Sequence, residues 1–198
     1  MKERRIILAS SSPRRKYLLG MILKNFGLKF DIIPANIKEC IPKKAENYSV
    51  FVKKLALIKA KSVANSHAGV IIGADTIVVL NGRVLGKPAT SGEAKLMLKL
   101  LSGKEHKVYT GIAIIDPAKK RSFIDYEVSK VRFRVLTKDE IDYYVKSESP
   151  MDKAVAYGIQ DDFGSTFVSK INGDYFNVVG LPVVKTYLGL KKILNLRF

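Results

Sequence analysis

Three stretches of this chain hold residue types suited to phosphate chemistry. The first is Ser10-Ser11-Ser12-Pro13-Arg14-Arg15, which follows a short apolar run. Ser12 suits a helix N-cap and Pro13 the first helical position. A helix start offers backbone N–H groups and a partial positive charge, so it binds anions. The helix dipole disfavours cations at that end by roughly 0.3–1 kcal/mol. Arg14 and Arg15 therefore make sense there if a phosphate joins them, since guanidinium groups grip phosphate oxygens bidentately. The same residues also read as an ordinary cap with two solvated arginines. A Walker-type loop ending in Lys-Ser or Lys-Thr is missing, which excludes a P-loop enzyme.

The second stretch is Gly73-Ala74-Asp75-Thr76, after an uncharged apolar run. Ligands of α/β sheets gather at the carboxyl ends of strands. A carboxylate there can bind Mg²⁺, orient water or accept its proton, or simply cap a turn. Glu39, in a polar loop upstream, is either a second carboxylate of such a site or a surface residue. The third is Gly86-Lys87-Pro88, which holds a lysine between two residues that restrict the backbone; it reads equally as a turn. Further on, Ala156-Tyr157-Gly158-Ile159-Gln160 is rich in groups for nucleobase contact, and the Gln160 amide can both donate and accept. His67 and His106 are the only histidines, and both read as structural or surface residues.

These groups must be carried by regular elements. Strands are expected at Arg5 to Ala9, Leu28 to Ile33, Val70 to Ala74 and Ile77 to Leu80, the last ending in an Asn81-Gly82 turn. Longer paired strands follow at Val108 to Ile115 and Ser122 to Val135, with another at Thr166 to Ile171. Helices are expected at about Pro13 to Phe26, Ala45 to Ser66 and Ser91 to Leu101. A further helix opens on a Thr137–Glu140 capping box, and the last begins at Pro182. On the second helix Phe51, Leu55 and Ile58 share a face, with Lys53, Lys54 and Lys61 opposite. Lys59 falls at the edge of the apolar stripe, where it either meets an acid or phosphate or snorkels to water. The mixture predicts an α/β fold with a mixed, twisted sheet in two lobes around a central cleft.

Composition narrows the class. The chain has 198 residues, 47% hydrophobic and 27% charged, an ordinary globular balance. No run is long enough for a membrane span, and the stretch Met1 to Ala9 lacks the apolar segment and cleavage site of a signal peptide, so none is expected. One cysteine, Cys40, cannot pair internally, and a reducing cytoplasm is expected. Lysine and arginine number 35 against 18 acids, a formal charge of +17. Such a field favours polyanions, but the lysines are dispersed and lack the interleaved aromatic platforms of single-strand binders. Nucleic acid is therefore the less favoured partner.

Taken in order, these stretches resemble the Maf family of nucleotide pyrophosphatases. The resemblance rests on Leu8-Ala9-Ser10 through Arg15, Gly73 to Thr76, Gly86-Lys87-Pro88, Leu101-Ser102-Gly103 and Val108 to Gly111. It continues through Pro150 to Ala154, Ala156 to Gln160, and Gly173 to Pro182. It implies a single domain over residues 1–198, Maf/ITPase-like, that cleaves nucleoside triphosphates to monophosphate and pyrophosphate with a divalent metal, Mg²⁺ or Mn²⁺. Asp75 matches the family's proton acceptor and, with Glu39, would hold the metal. Arg14, Thr76 and Gln160 match base-selecting positions. Ser10, Ser12, Arg14, Arg15, Lys59, Lys87 and Lys153 would bind phosphates. The pattern is that of the dTTP/UTP branch, and the family suggests a homodimer.

Departures from the family pattern are Lys38 before Glu39, where another acid is common, and Val155 and Asp161, which stand where glycines are expected. The change at Asp161 bears on the loop carrying Gln160. Two alternatives remain: a basic nucleic-acid-binding or cell-division module, and a purine pyrophosphatase of the ITP type.

Overall fold

The computed structural model describes residues 4–24, 26–37, 47–146, 153–161 and 163–196. Its spine is a seven-stranded mixed sheet. The strands are β1 (Ile6–Leu8), β2 (Asp31–Ile32), β3 (Val70–Leu80), β4 (Arg83–Leu85), β5 (Glu105–Asp116), β6 (Arg121–Phe133) and β7 (Val168–Asn172). They run in the order β2-β1-β3-β5-β6-β7, with β4 also on β3. The long antiparallel partner β5 pairs with β3 from Ile71 to Val79. The other edge of β3 is shared. β1 lies parallel along Val70 to Ile72, and β4 runs antiparallel along Val78 to Leu80. Between them, near Gly73 to Ile77, that edge carries neither neighbour.

Asp75-Thr76 therefore sits inside one continuous strand, rather than between two strands as the sequence suggested. A polar pair reads as a break, but continuous pairing with β5 carries the extended backbone through it. The Asn81-Gly82 turn leads into β4, which the sequence did not announce. Both turn residues have positive φ (48° and 74°), as a tight hairpin turn demands.

Helix α2 (Tyr48–Ala64) covers one face of the sheet; it is capped by Asn47, whose side chain accepts from the Ser49 and Val50 N–H groups. Its buried stripe is Val52, Leu55, Ala56, Lys59, Ala60 and Val63. This is rotated from the expected stripe, and Ile58 is exposed. The cause lies beneath it. Gly73 and Gly111 have no side chain, and a Cβ on either would stand 2.2 Å from the carbonyl oxygen of Ala56 or Val52. Small residues thus face glycines, and the helix backbone rests on the sheet.

The opposite face carries α1 (Pro13–Lys24), α3 (Ser91–Leu101), α4 (Lys138–Lys146), α5 (Tyr175–Val179) and α6 (Val183–Leu194). Leu18, Leu19, Ile22 and Leu23 of α1 and Leu190 and Ile193 of α6 pack on Ile72, Ala74, Ile112 and Ile114. Ala94, Leu98 and Leu101 of α3 join Ile141 and Tyr144 of α4 over Val78, Val108 and Phe133. The Thr137–Glu140 box forms as expected: the Thr137 N–H donates to Glu140, and the Glu140 N–H to the Thr137 hydroxyl. The two packed clusters lie either side of the open stretch of β3, and the expected mixed α/β sheet is present. No described helix is long and apolar enough to cross a membrane.

Candidate active site

The open edge of β3 is the floor of a cleft of about 610 Å³. One wall is the β1–α1 loop from Ala9 to Arg15, with Pro34 and Ala35. The other is Leu85-Gly86-Lys87 with Lys153 and Tyr157 to Ile159. Because the edge is unshielded, groups from both faces of β3 reach this space. Asp75 faces α2, and Thr76 faces α1.

Asp75 is 4% exposed and Lys59 is 8% exposed, and the Lys59 ammonium donates to an Asp75 carboxylate oxygen. The direct seating of α2 on Gly73 brings Lys59 to that carboxylate. Its head is paired rather than snorkelled to water. A buried ion pair gains from low dielectric only when both charges remain together.

Ser12 caps α1: its carbonyl accepts from Lys16 N–H and its hydroxyl from Arg15 N–H at 3.4 Å. The Ser10 hydroxyl accepts from Ser12 N–H at 3.3 Å. The Arg15 guanidinium ties three segments together. Nε donates to the Gly180 carbonyl at 2.9 Å, and its terminal nitrogens reach the Ser10 hydroxyl at 3.2 Å and the Thr76 hydroxyl at 3.0 Å. Thr76 in turn meets Thr110 at 2.9 Å, and Thr110 donates to the Asn177 carbonyl at 3.0 Å. Asn177 donates its amide to Val108 and Ser129. Arg15 and Thr76 thus belong to a hydrogen-bonded wall, a role that the sequence did not disclose.

Lys87 is exposed at the rim and Arg14 is half-buried, both lining the cleft. Gly86 has open space where a Cβ would be and no positive φ, so the lysine is not held by any glycine requirement there. Lys153 is buried and pairs with Asp161 at 3.2 Å. Gln160 is exposed and lies outside the cleft lining, while its neighbours Gly158 and Ile159 line it. Glu39 lies outside the described residues, as do Lys38 and Cys40.

Tyr157, missed as a site residue, forms part of the lining and meets buried His106 at 2.9 Å from Nε2. Burial pulls His106 down from its ordinary 6.5 to about 4, so its ring is neutral. This confirms a structural histidine. His67 is on the surface, half-buried beside Ser66.

Among the described residues, the lining carries Arg14, Arg15, Lys59, Lys87 and Lys153 against one carboxylate, Asp75. Apolar Ile77, Val78, Ile159 and Val179 are among the other lining residues. The arrangement defines an α/β protein with a strongly cationic, partly apolar cleft, a surface that attracts anions.

Comparison with known proteins agrees with that class. The family model "Maf-like protein" matches residues 5–193, and the chain belongs to that family. A Bacillus mycoides (strain KBAB4) protein named dTTP/UTP pyrophosphatase is 49% identical over 190 residues, 96% of this chain and 95% of its own. One of the same name from Alkaliphilus oremlandii (strain OhILAs) is 50% identical over 184 residues, 92% of each chain. The solved structure of a HAM1 protein from Coxiella burnetii has the same fold, with a TM-score of 0.54 at 17% identity over 97% of this chain and 98% of that one.

Proposed function

We propose that this protein is a metal-dependent nucleoside triphosphate pyrophosphatase acting on dTTP and UTP. The observation that carries the reading is the Lys59–Asp75 pair, buried at the floor of a cationic cleft. The near-half identity to proteins named dTTP/UTP pyrophosphatase supports the substrate class.

The triphosphate lies across the open edge of β3, with Arg14, Lys87 and Lys153 offsetting its charge. Lys59 holds the Asp75 carboxylate in place. Asp75 accepts a proton from the water whose oxygen bonds to the α-phosphorus. The bond from that phosphorus to the bridging oxygen breaks, and pyrophosphate leaves with the bonding pair. The Arg15–Thr76–Thr110 chain keeps the wall rigid against the bound nucleotide. Arg14, Thr76 and the loop carrying Gln160 select the base.

Among the described residues no group of three or more His, Cys, Asp or Glu side chains stands ready to hold a metal. The donor the described lining does offer is the Asp75 carboxylate, which suits Mg²⁺ or Mn²⁺, since Mg²⁺ typically takes one or two carboxylates with substrate phosphates. Asp75 and Glu39 are the residues that would hold the ion, which supplies charge neutralisation on the phosphate oxygens.

A pyrophosphate-release screen over the common and modified triphosphates, with Mg²⁺ and with Mn²⁺, tests this reading. The expected result is preferential turnover of dTTP and UTP. Preference for ITP or 7-methyl-GTP over both would overturn the substrate assignment. Turnover without added metal, in the presence of chelator, would overturn the metal dependence.

A further inference from the structure

Lys153 reaches the cleft from a segment whose backbone is unusual. Val155 and Ala156 both hold positive φ, 60° and 61°, and both are buried. A β-branched residue rarely adopts that region, so surrounding contacts must impose it. One is the Val155 N–H, which donates to the Gly86 carbonyl at 2.9 Å. This joins the segment to the turn bearing Lys87.

On either side of those two residues, Lys153 and Gly158 both meet Asp161. Its carboxylate pairs with the Lys153 ammonium at 3.2 Å, with 8% and 18% of the two side chains exposed. The same carboxylate accepts from the Tyr144 hydroxyl at 2.6 Å, and that hydroxyl accepts from the Gly158 N–H at 3.3 Å. Tyr144 is itself fixed, fully buried with its ring edge-on to Phe167 at 5.1 Å. The Asp161 N–H closes a turn on the Gly158 carbonyl at 3.2 Å. The carboxylate fills the space beside Gly158, where a Cβ would stand 2.5 Å from an Asp161 oxygen.

We infer that Asp161 is a positioning residue, a latch anchored on Tyr144 that holds the Lys153 ammonium at the cleft wall to receive the nucleotide's phosphates. A lysine has a long flexible stem, and an unrestrained one would lose that freedom on binding. The latch removes much of this cost beforehand. It also fixes Gly158 and Ile159, which line the same wall. The inference rests on the reading of the cleft as a triphosphate site.

The test is a double-mutant cycle between Asp161 and Lys153. Binding of the non-hydrolysable analogue α,β-imido-dUTP is measured by calorimetry, alongside KM and kcat for UTP. D161A should weaken analogue binding and raise KM about tenfold, with kcat within about twofold. D161N should cost about threefold, because its amide oxygen still accepts but lacks the charge. In the K153M background neither change should cost anything further. The inference is overturned if either Asp161 variant costs the same factor in both backgrounds, or nothing in the wild type. If D161A does not fold, the D161N cycle decides alone. K153M binding the analogue as tightly as wild type would overturn both the latch and the phosphate role of Lys153. Normal analogue binding without hydrolysis of any triphosphate would instead sink the proposed activity and leave the latch to be decided by the binding cycle.

Discussion

Asp75 and Thr76 are adjacent in the chain and point to opposite faces of β3, yet both line one cleft. Asp75 meets Lys59 of α2, and Thr76 meets Arg15 of α1. A strand flanked on both edges would keep such neighbours apart. Here β1 and β4 share one edge and leave its middle open.

The seating of α2 depends on Gly73. Gly73→Ala would place a Cβ 2.2 Å from the Ala56 carbonyl oxygen and 2.8 Å from the Ala60 nitrogen, both rigid backbone atoms. The helix must lift, carrying Lys59 away from Asp75. A stability loss of about 1–3 kcal/mol or more is expected in urea unfolding, together with reduced turnover. Gly86→Ala, with nothing within 4 Å of the added Cβ, is the control and should leave stability near wild type. Equal behaviour of the two variants would contradict the account of the helix–sheet contact.

The lysines of α2 should separate sharply. Lys59→Ala leaves the buried Asp75 carboxylate without its ammonium partner. Removing one member of a buried pair typically costs about 3–5 kcal/mol, and triphosphate hydrolysis should fall steeply. Lys61 is exposed, and Lys53 only overlies the Tyr126 ring at 5.5 Å. That ring contact is worth about 0.5–1 kcal/mol. Lys61→Ala and Lys53→Ala should therefore keep near-normal turnover. Steady-state assays in which all three fall equally would remove Lys59 from the site.

Acid sensitivity has a specific source in His106. Burial holds its folded pKa at about 4, below the ordinary 6.5. The unfolded chain binds the proton first, so this stabilising contribution is complete above about pH 6.5 and lost as pH falls through about 4. At 1.36 kcal/mol per unit the full loss is roughly 3 kcal/mol. His106→Gln cannot take up that proton, so its stability should fall less between pH 7 and 4.5 than that of wild type. Parallel pH profiles of the urea midpoint for the two proteins would rule out this histidine as the source.

Local signals were legible in the sequence, and long-range ones were not. The Ser12 cap, the Thr137–Glu140 box and the Asn81-Gly82 turn each act within a few residues, so their residue types announce them. Helical spacing placed Lys59 at the edge of the apolar stripe and left snorkelling open, because its partner sits 16 positions away. Arg15 was expected at the phosphates. Its contacts with Thr76 and Gly180 span 61 and 165 positions, and no local pattern encodes them. Helix α5 was missed because five residues carry little periodicity. Its ends were nonetheless marked, by Asp174 accepting from Phe176 N–H and by Gly180 at φ 119°. Asp161 was singled out only as a departure at a glycine position; its link to Lys153 and Tyr144 needed the fold.

The most direct measurement is pyrophosphate release from dTTP and UTP by wild-type protein and by Asp75→Asn. The change keeps size and removes the basic oxygen that takes the proton from water. Thermal melting of the variant, alone and combined with Lys59→Met to avoid an unpaired buried ammonium, establishes that the fold persists. A rate about two to four orders of magnitude below wild type is expected in folded protein. A folded Asp75→Asn variant turning over dTTP and UTP at the wild-type rate would contradict it.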